Sequence, residues 1–148
     1  MNRKIILLVE DQPDDEELTM RALGKNREIN TVVVVRDGVE ALEYLFGTET
    51  YARYGERAMP HLVLLDLKLP KIDGFEVLKR LRADARTRFL PIVILTASQE
   101  EEDLIQSYRL GADSYIRKPV DMANFTNSVQ HIGLYWLAPH ESELVPVP

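Results

Sequence analysis

Residues 62–66 of this chain read LVLLD, four apolar residues followed by an aspartate. Three other stretches have a similar form, namely residues 5–11 (IILLVED), residues 92–96 (IVILT) and residues 115–119 (YIRKP). Short continuous apolar runs bounded by polar residues are typical of strands buried on both faces, as in a parallel sheet. We therefore predict that these four stretches are strands of one sheet.

Each stretch ends in a side chain that a site for an anionic group would need. In an open α/β sheet, the ligand crevice lies at the carboxyl ends of the strands. The predicted strand ends would bring together three carboxylates, one hydroxyl and one ammonium, from Glu10, Asp11, Asp66, Thr96 and Lys118. We interpret this convergence as a site for phosphoryl transfer.

Helical patterns alternate with the strands along the chain. A further strand is predicted at residues 31–35 (TVVVV), which are rich in β-branched side chains. Helices are predicted at about residues 13–25, 38–46, 75–81, 99–110 and 122–136. This (βα)₅ order predicts an α/β fold, with a doubly wound parallel sheet of five strands and helices on both faces.

Two segments near the helices have patterns of their own. Residues 47–60 form a polar connection that is long for a link between a helix and a strand. The last helix carries an apolar stripe at spacings of three and four residues, which we interpret mostly as core packing. The stripe consists of Met122, Phe125, Val129, Ile132 and Trp136.

The composition excludes several classes of protein. The length of 148 residues suits one domain with a substantial core. A formal net charge of −6 argues against a nucleic-acid binder, because no basic stripe is available to neutralise phosphates. The absence of cysteine excludes disulfides and thiolate metal sites. The sequence has neither a secretory signal nor an apolar run long enough for a membrane span, so we expect a cytoplasmic protein.

Four motifs of the chain, in this order and at this spacing, resemble those of the receiver domain of two-component response regulators. The motifs are LVED (8–11), LLDLKLP (64–70) with DG (73–74), LTA (95–97) and KP (118–119). One such motif alone would be weak evidence for the resemblance, whereas all four in order and at this spacing are strong evidence. The resemblance covers roughly residues 3–136 and implies a flavodoxin-like receiver fold. It also implies a phosphoacceptor signalling protein rather than an enzyme, with a receiver domain at 1–136 and a tail at 137–148.

The resemblance implies a phosphoacceptor and a metal site. Asp66 would accept a phosphoryl group from the phosphohistidine of a sensor kinase. Asp11 and Asp66 would bind Mg²⁺ directly, Glu10 would bind it partly through water, and the backbone carbonyl of Lys68 would add a ligand. Physical reasoning agrees, because two like charges about 4 Å apart repel by about 4 kcal/mol at an effective dielectric constant of about 20. A hard divalent cation would offset that repulsion.

The resemblance also implies roles for Lys118, Thr96 and Tyr115. Lys118 would pair with Asp66 before the reaction and with a phosphoryl oxygen after it, and its bond to Pro119 would be cis. Thr96 would then move towards the phosphoryl oxygens, and Tyr115 would turn into the space that opens. The face formed by the fourth long helix, the strand at 113–117 and the last helix would change shape.

Simpler interpretations of several residues stay open at this point. Asp11 alone could be a helix cap, and Tyr115 could be a packing residue. Asp14 and Asp15 are interpreted as acidic residues that favour a helix start rather than as ligands. Lys68 departs from the resemblance, because a smaller polar residue is frequent at that position. We predict that it affects the lifetime of the aspartyl phosphate.

Three other functions are compatible with parts of the pattern. A phosphatase of the haloacid dehalogenase class would need an acid two residues after its nucleophile, where this chain has Lys68. A flavodoxin-like flavin binder would need a phosphate loop rich in Ser, Thr and Gly after the first strand, and the acidic strand ends would repel its ligand. A pseudo-receiver that never takes phosphate shares the fold and is kept as the alternative, although every required group is present.

The connection at 47–60 and the Tyr135-Trp136 ending resemble the single-domain regulators that are paired with bacterial phytochromes. This implies a sensor histidine kinase of the bacteriophytochrome type as partner, with a phosphotransfer protein as a second candidate. We expect no nucleic-acid or membrane partner and no output domain after residue 136. We also expect a homodimer to which residues 135–137 and 144–145 contribute, because exposed apolar residues near a terminus often mark an interface.

Overall fold

A computed structural model of the chain describes residues 4–24, 26–47 and 59–134. The strands are β1 (Ile5–Val9), β2 (Thr31–Val35), β3 (Leu62–Asp66), β4 (Ile92–Thr96) and β5 (Ser114–Arg117). The helices are α1 (Pro13–Leu23), α2 (Asn26–Ile29), α3 (Gly38–Phe46), α4 (Gly74–Ala83), α5 (Glu101–Arg109) and α6 (Met122–His131). The predicted α/β fold is confirmed. No helix in these three segments is long and apolar enough to cross a membrane.

The five strands form one parallel sheet in the order β2-β1-β3-β4-β5. Strand β2 lies beside β1 at one end of the sheet, whereas β4 and β5 lie beyond β3 at the other end. A topological switch point therefore lies between β1 and β3. Such a point opens a crevice at the carboxyl ends of the strands. In the register of the sheet Val9 lies beside Leu65. The next residues, Glu10 and Asp66, therefore lie together at the crevice.

The sheet separates two apolar layers. One layer contains Leu8, Leu64 and Leu95 of the strands with Leu23 of α1 and Phe125 of α6. The other contains Leu7, Leu65 and Ile94 of the strands with Leu45 of α3 and Leu78 of α4. Successive strand residues point to opposite faces, so alternate residues belong to different layers. Every residue of β3 and β4 is buried, as their continuous apolar runs predicted.

Three differences from the sequence prediction concern α1, α2 and α5. The first helix ends at Leu23 rather than near Lys25, because Gly24 adopts φ +54° and its N–H donates to the carbonyl of Arg21. The four-residue helix α2 was not predicted, since so short a segment shows no helical period. The fourth long helix, α5, begins at Glu101, two residues later than predicted.

The last helix ends at His131 and does not continue to Trp136, so the predicted helix was too long. Gly133 has φ +83°, and its N–H donates to Gln130 at 3.0 Å while that of Leu134 donates to Val129 at 2.7 Å. These two bonds form a Schellman motif, which ends a helix with a left-handed glycine. Leu134 and Val129 are buried in the same apolar layer, and that burial stabilises the helix end.

The predicted stripe of α6 is therefore only partly a core stripe. Phe125 and Val129 are fully buried, whereas Met122 is 40% exposed. Trp136 lies outside the described residues. So do most of the connection at 47–60, the tail, and the residues predicted to contribute to a dimer.

Candidate functional site

The two acidic residues after β1 differ in burial and in partners. Glu10 is fully buried, and its Oε2 accepts a hydrogen bond from the N–H of Gln12 at 3.2 Å. Asp11 is partly buried, and its Oδ2 accepts from the side-chain amide of Gln12 at 3.1 Å. The N-cap residue of α1 is Gln12, which makes no side-chain cap bond. The capping interpretation of Asp11 is therefore wrong.

Asp66 is held at the end of β3 by the turn that follows. It is buried, and its Oδ1 accepts a long hydrogen bond of 3.4 Å from the N–H of Lys68. The N–H of Gly74 donates to the carbonyl of Leu67 at 2.8 Å, which draws the start of α4 against the strand end. A Cβ atom at Gly74 would lie 2.2 Å from the carbonyl oxygen of Asp66, so only glycine permits this approach.

Lys118 lies at the centre of the site. Its backbone N–H donates to the carbonyl of Thr96 at 2.8 Å, and its bond to Pro119 is cis, as the resemblance implied. Its side chain is only 7% exposed. The ammonium Nζ lies 2.5 Å from Oε1 of Glu10, 3.1 Å from Oδ2 of Asp15 and 3.1 Å from Oδ2 of Asp66. An ammonium has three N–H donors, so each of them is engaged by a carboxylate.

The charges of the site are unbalanced, because four carboxylates share one ammonium. Glu10, Asp15 and Asp66 pair with Lys118, and Asp11 lies beside two of them. Burial raises the pKa of Glu10 to about 7, although its hydrogen bond with Lys118 opposes this. Burial lowers the pKa of Lys118, but the hydrogen bond with Glu10 and the charge of Asp66 outweigh it, so that the pKa is raised. This excess of negative charge favours a cation.

Three of the carboxylates have the geometry of a cation site. One oxygen each from Glu10, Asp11 and Asp66 lies within 4.8 Å of the others. The Oδ1 atom of Asp11 is buried, and no described residue donates a hydrogen bond to it. A buried oxygen without a partner requires an explanation, and a bound cation would provide one. Hard carboxylate oxygens suit Mg²⁺ or Mn²⁺, so the residues present fit a divalent ion.

The predicted switch residues lie on the opposite face of the sheet from Asp66. Thr96 is fully buried, and its Oγ1 accepts from the N–H of Ser98 at 3.1 Å. Thr96 pairs in register with Arg117, so Tyr115, two residues earlier, lies on the same face of the neighbouring strand. Both belong to the face that packs against α3 and α4.

The hydroxyl of Tyr115 is in an unfavourable environment. It is buried, and within the described part of the chain it forms no hydrogen bond of ordinary geometry. Burial raises the pKa of the phenol, and the nearby Arg117 and Ser98 offset this only in part. Polar groups of Arg117 and Ser98 are therefore near the hydroxyl but poorly aligned with it, and a different side-chain position would let it form a full hydrogen bond.

A cavity of about 160 Å³ opens at the carboxyl edge of the sheet. The exposed Lys68 reaches it from the turn after β3, where its carbonyl was predicted to bind metal. The residues that line the cavity are Asp11, Gln12, Asp15, Asp66, Lys68, Thr96, Ala97 and Lys118. A water occupies about 30 Å³ of liquid, so the space suits a phosphoryl group with a few waters.

Asp15 is the site residue that the sequence analysis missed. It was interpreted only as an acidic residue of a helix start, and it is indeed the third residue of α1. It also contacts Lys118, 103 positions later in the chain. No signal near Asp15 in the sequence could have revealed this contact, because Lys118 lies 103 positions away and Asp11 precedes the helix rather than belonging to it.

Comparisons with known proteins agree with this geometry. The chain matches the response regulator receiver domain family over residues 6–130. The probable methanogenesis regulatory protein FilR2 of Methanothrix harundinacea is 41% identical over 133 residues, which cover 90% of this chain and 83% of that protein. The response regulator Rcp1 of Synechocystis is 36% identical over 134 residues, which cover 90% of this chain and 89% of that protein.

Several solved structures of response regulators share the fold, and phytochrome response regulators are among them. The bacteriophytochrome response regulator AtBRR is 47% identical with a TM-score of 0.81, and the match covers 92% of this chain and 96% of that one. The phosphorylated cyanobacterial phytochrome response regulator RcpA is 36% identical with a TM-score of 0.75, covering 99% and 98%. The Mn²⁺-bound form of Rcp1 is 34% identical with a TM-score of 0.71, covering 98% and 99%. The chain therefore belongs to the family of response regulator receiver domains, and bacteriophytochrome response regulators are among its close structural neighbours.

Proposed function

We propose that this chain accepts a phosphoryl group on Asp66 from a sensor histidine kinase, with Mg²⁺ bound beside the nucleophile. The observation that carries this proposal is the position of Lys118, whose ammonium lies 3.1 Å from Asp66 and 2.5 Å from Glu10 within an acidic cluster. A carboxylate nucleophile, an acidic cation site and a fixed ammonium are the parts that such a transfer needs.

Each group of the site would contribute to charge neutralisation. Glu10, Asp11 and Asp66 would hold Mg²⁺, and the carbonyl of Lys68 stays a predicted further ligand. When bound, Mg²⁺ neutralises the negative charge that builds up between the nucleophile and the phosphoryl oxygens. Lys118 would contact a phosphoryl oxygen from another side, and its burial strengthens that attraction. The Mn²⁺-bound form of Rcp1 supports this assignment by similarity.

The transfer itself requires one bond to form and one to break. A carboxylate oxygen of Asp66 attacks phosphorus, and the P–N bond to the histidine of the kinase breaks. The electron pair returns to the ring nitrogen, and a proton on the other nitrogen lets the imidazole leave neutral. The product is an aspartyl phosphate at Asp66, which later reacts with water to restore the carboxylate.

The response to phosphorylation would use Thr96 and Tyr115. The phosphoryl oxygens would attract the hydroxyl of Thr96, and Tyr115 would move from its present position, where its hydroxyl forms no well-aligned hydrogen bond with a described residue. The free-energy difference between two conformations of the face formed by α5, β5 and α6 would then change by a few kcal/mol, which shifts their populations.

The alanine variant at Tyr115 tests this switch. We expect Tyr115→Ala to take up phosphate at the wild-type rate, because Tyr115 does not line the cavity. It should lose the phosphate-induced chemical-shift changes on the face of α5, β5 and α6 in NMR spectra. A variant that responds normally to phosphate would exclude an aromatic switch at this position.

The partner is proposed to be a histidine kinase linked to a bacteriophytochrome, on the basis of the similarity to AtBRR and RcpA. A phosphotransfer protein is a second candidate partner. Such kinases use cytoplasmic ATP, so the proposal places the chain in the cytoplasm. The net charge of −6 supports protein partners over nucleic acid, and a homodimer remains part of the proposal.

The direct test is phosphate incorporation from acetyl phosphate with and without Mg²⁺. The wild type should be labelled only with Mg²⁺, and Asp66→Asn should not be labelled because the nucleophile is absent. A folded wild type that takes no label from acetyl phosphate or from a cognate phytochrome kinase would favour the pseudo-receiver alternative.

A further inference from the structure

Asp15 has no role in the function proposed above, although it contacts the central lysine of the site. Its Oδ2 lies 3.1 Å from Nζ of Lys118, and its side chain is 33% exposed, compared with 7% for Lys118. It lines the same cavity as Asp66. Asp15 therefore approaches Lys118 from the solvent side of the crevice.

Lys118 has no N–H donor to spare for an incoming group. Its three donors are engaged by Glu10, Asp15 and Asp66. The proposed transfer requires the ammonium to contact a phosphoryl oxygen, so one of these bonds must be given up or shared.

Burial decides which carboxylate releases the lysine most easily. The side chain of Glu10 has no accessible surface, so water cannot solvate its carboxylate if the bond to Lys118 breaks. Asp66 is nearly as buried and is the reacting group itself. Asp15 is one-third exposed, so water can solvate its carboxylate when the bond breaks. The bond to Asp15 is the one that an incoming phosphoryl oxygen would replace.

Asp15 also adds a negative charge where a donor must pass. A phosphoryl donor is an anion, and the cavity that it would occupy is already lined by Asp11 and Asp66. Competition for Lys118 and repulsion of the donor act in the same direction, since both make acceptance of the phosphoryl group slower.

We infer that Asp15 is a positioning residue that holds Lys118 in the resting site and slows phosphoryl acceptance until the lysine is released. This inference rests on the proposed function of Asp66. Asp15 acts through Lys118, and its removal should therefore speed the reaction.

Asp14 offers a matched control for Asp15. It lies in the same first turn of α1 and carries the same charge. It is exposed and does not line the cavity. Replacing either residue by asparagine changes the net charge equally, so a difference between the two variants reports the contact with Lys118 and the position of the charge.

The experiment compares second-order rate constants for Mg²⁺-dependent phosphorylation by acetyl phosphate. Asp15→Asn should react roughly three- to tenfold faster than wild type, because one nearby like charge is removed and a neutral, weaker acceptor competes for Lys118. Asp14→Asn should stay close to wild type. Asp15→Glu keeps the charge and can reach Lys118, so it should restore the slow rate. Asp15→Ser provides a second variant without the charge.

Beryllofluoride, a non-covalent analogue of the phosphoryl group, provides a readout without turnover. With Mg²⁺ present, Asp15→Asn should bind it more tightly than Asp14→Asn does. Thermal unfolding of every variant checks that the fold is unchanged. If Asp15 had only a structural role, its replacement would instead slow phosphorylation and weaken the binding of beryllofluoride.

The outcomes separate the inference from the proposed function. If Asp15→Asn and Asp15→Ser react no faster than Asp14→Asn while wild type is labelled, the inference is overturned and the proposed function stands. If the wild type takes neither label nor beryllofluoride, the proposed function fails, and the inference fails with it.

Discussion

Glu10 is the residue whose surroundings most change its chemistry. It has no accessible surface, and burial raises its pKa from 4.5 to about 7 despite the hydrogen bond with Lys118. Near neutral pH, the metal-free site therefore binds a proton at Glu10 for part of the time. A divalent cation prefers the ionised carboxylate, so proton and cation compete.

We predict that the affinity for Mg²⁺ increases with pH through neutrality. A raised pKa means that the carboxyl holds a proton below about pH 7 and is ionised above it. Affinity should rise by up to about tenfold between about pH 6 and pH 8 and then level off, if one proton is displaced. Isothermal titration calorimetry would measure this.

The control for this pH dependence is Glu10→Gln, which cannot titrate in the range. Its affinity for Mg²⁺ should be weaker and nearly independent of pH over the same interval. A wild type whose affinity does not change between these pH values would contradict the role of Glu10.

Lys68 is exposed at the cavity and bulky enough to limit the approach of water to Asp66. We predict that Lys68→Asn shortens the lifetime of the aspartyl phosphate by about twofold or more, because a smaller side chain leaves more room for the attacking water. The decay of the phosphorylated form after removal of donor measures this. Equal decay rates for the two proteins would refute the prediction.

At the scale of elements, two glycines show different physical requirements. Gly74 starts α4, and a Cβ there would lie 2.2 Å from the carbonyl oxygen of Asp66. Gly133 ends α6 with φ +83°, and a Cβ there would meet nothing within 4 Å. The first glycine is needed for a close approach, and the second for its backbone conformation.

We predict that the two alanine variants differ in their effects. Gly74→Ala should cost about 1–3 kcal/mol through overpacking, and it should slow phosphorylation because the backbone of Asp66 must shift. Gly133→Ala should cost about 1–2 kcal/mol through its left-handed conformation and leave phosphorylation unchanged. Urea unfolding and labelling rates measure the two effects. Equal labelling rates would show that Gly74 does not position Asp66.

At the scale of the whole molecule, the sheet places the chemistry and the predicted switch on opposite faces. Asp66 shares a face with the layer of α1 and α6, and Thr96 and Tyr115 share the layer of α3 and α4. Because side chains alternate along a strand, a register shift by one residue would exchange these faces. Side chains from the two faces come together at the carboxyl edge of the sheet, where Thr96 and Asp66 line one cavity.

The dimer prediction also belongs to this scale. Truncation after Trp136 removes the tail and should weaken self-association, because apolar residues of the tail would be lost from the interface. Sedimentation velocity of phosphorylated and unphosphorylated protein measures this. The control is Ile105→Asp, which places a charge on α5, where Ile105 is 43% exposed. If only the Ile105 variant dissociates, the interface lies on α5 and not in the tail.

The sequence by itself was sufficient for the architecture. Buried strands such as residues 62–66 carry continuous apolar runs, and this pattern depends only on neighbours along the chain. Because parallel strands end at one edge, the order of motifs also predicted that Glu10, Asp66 and Lys118 would meet, and the structure brings them together. Their roles in phosphoryl transfer remain predictions. The end of α6 was misjudged although a local signal, Gly133, was present.

The tertiary structure alone decided the balance of interactions within the site. The contact between Asp15 and Lys118 joins residues 103 positions apart, and no pattern near Asp15 determines whether it points to the crevice or to water. The raised pKa of Glu10 arises in the same way, and so does the buried oxygen of Asp11 to which no described residue donates a hydrogen bond. Desolvation and pairing depend on every group that packs around a charge, and those groups come from distant parts of the chain.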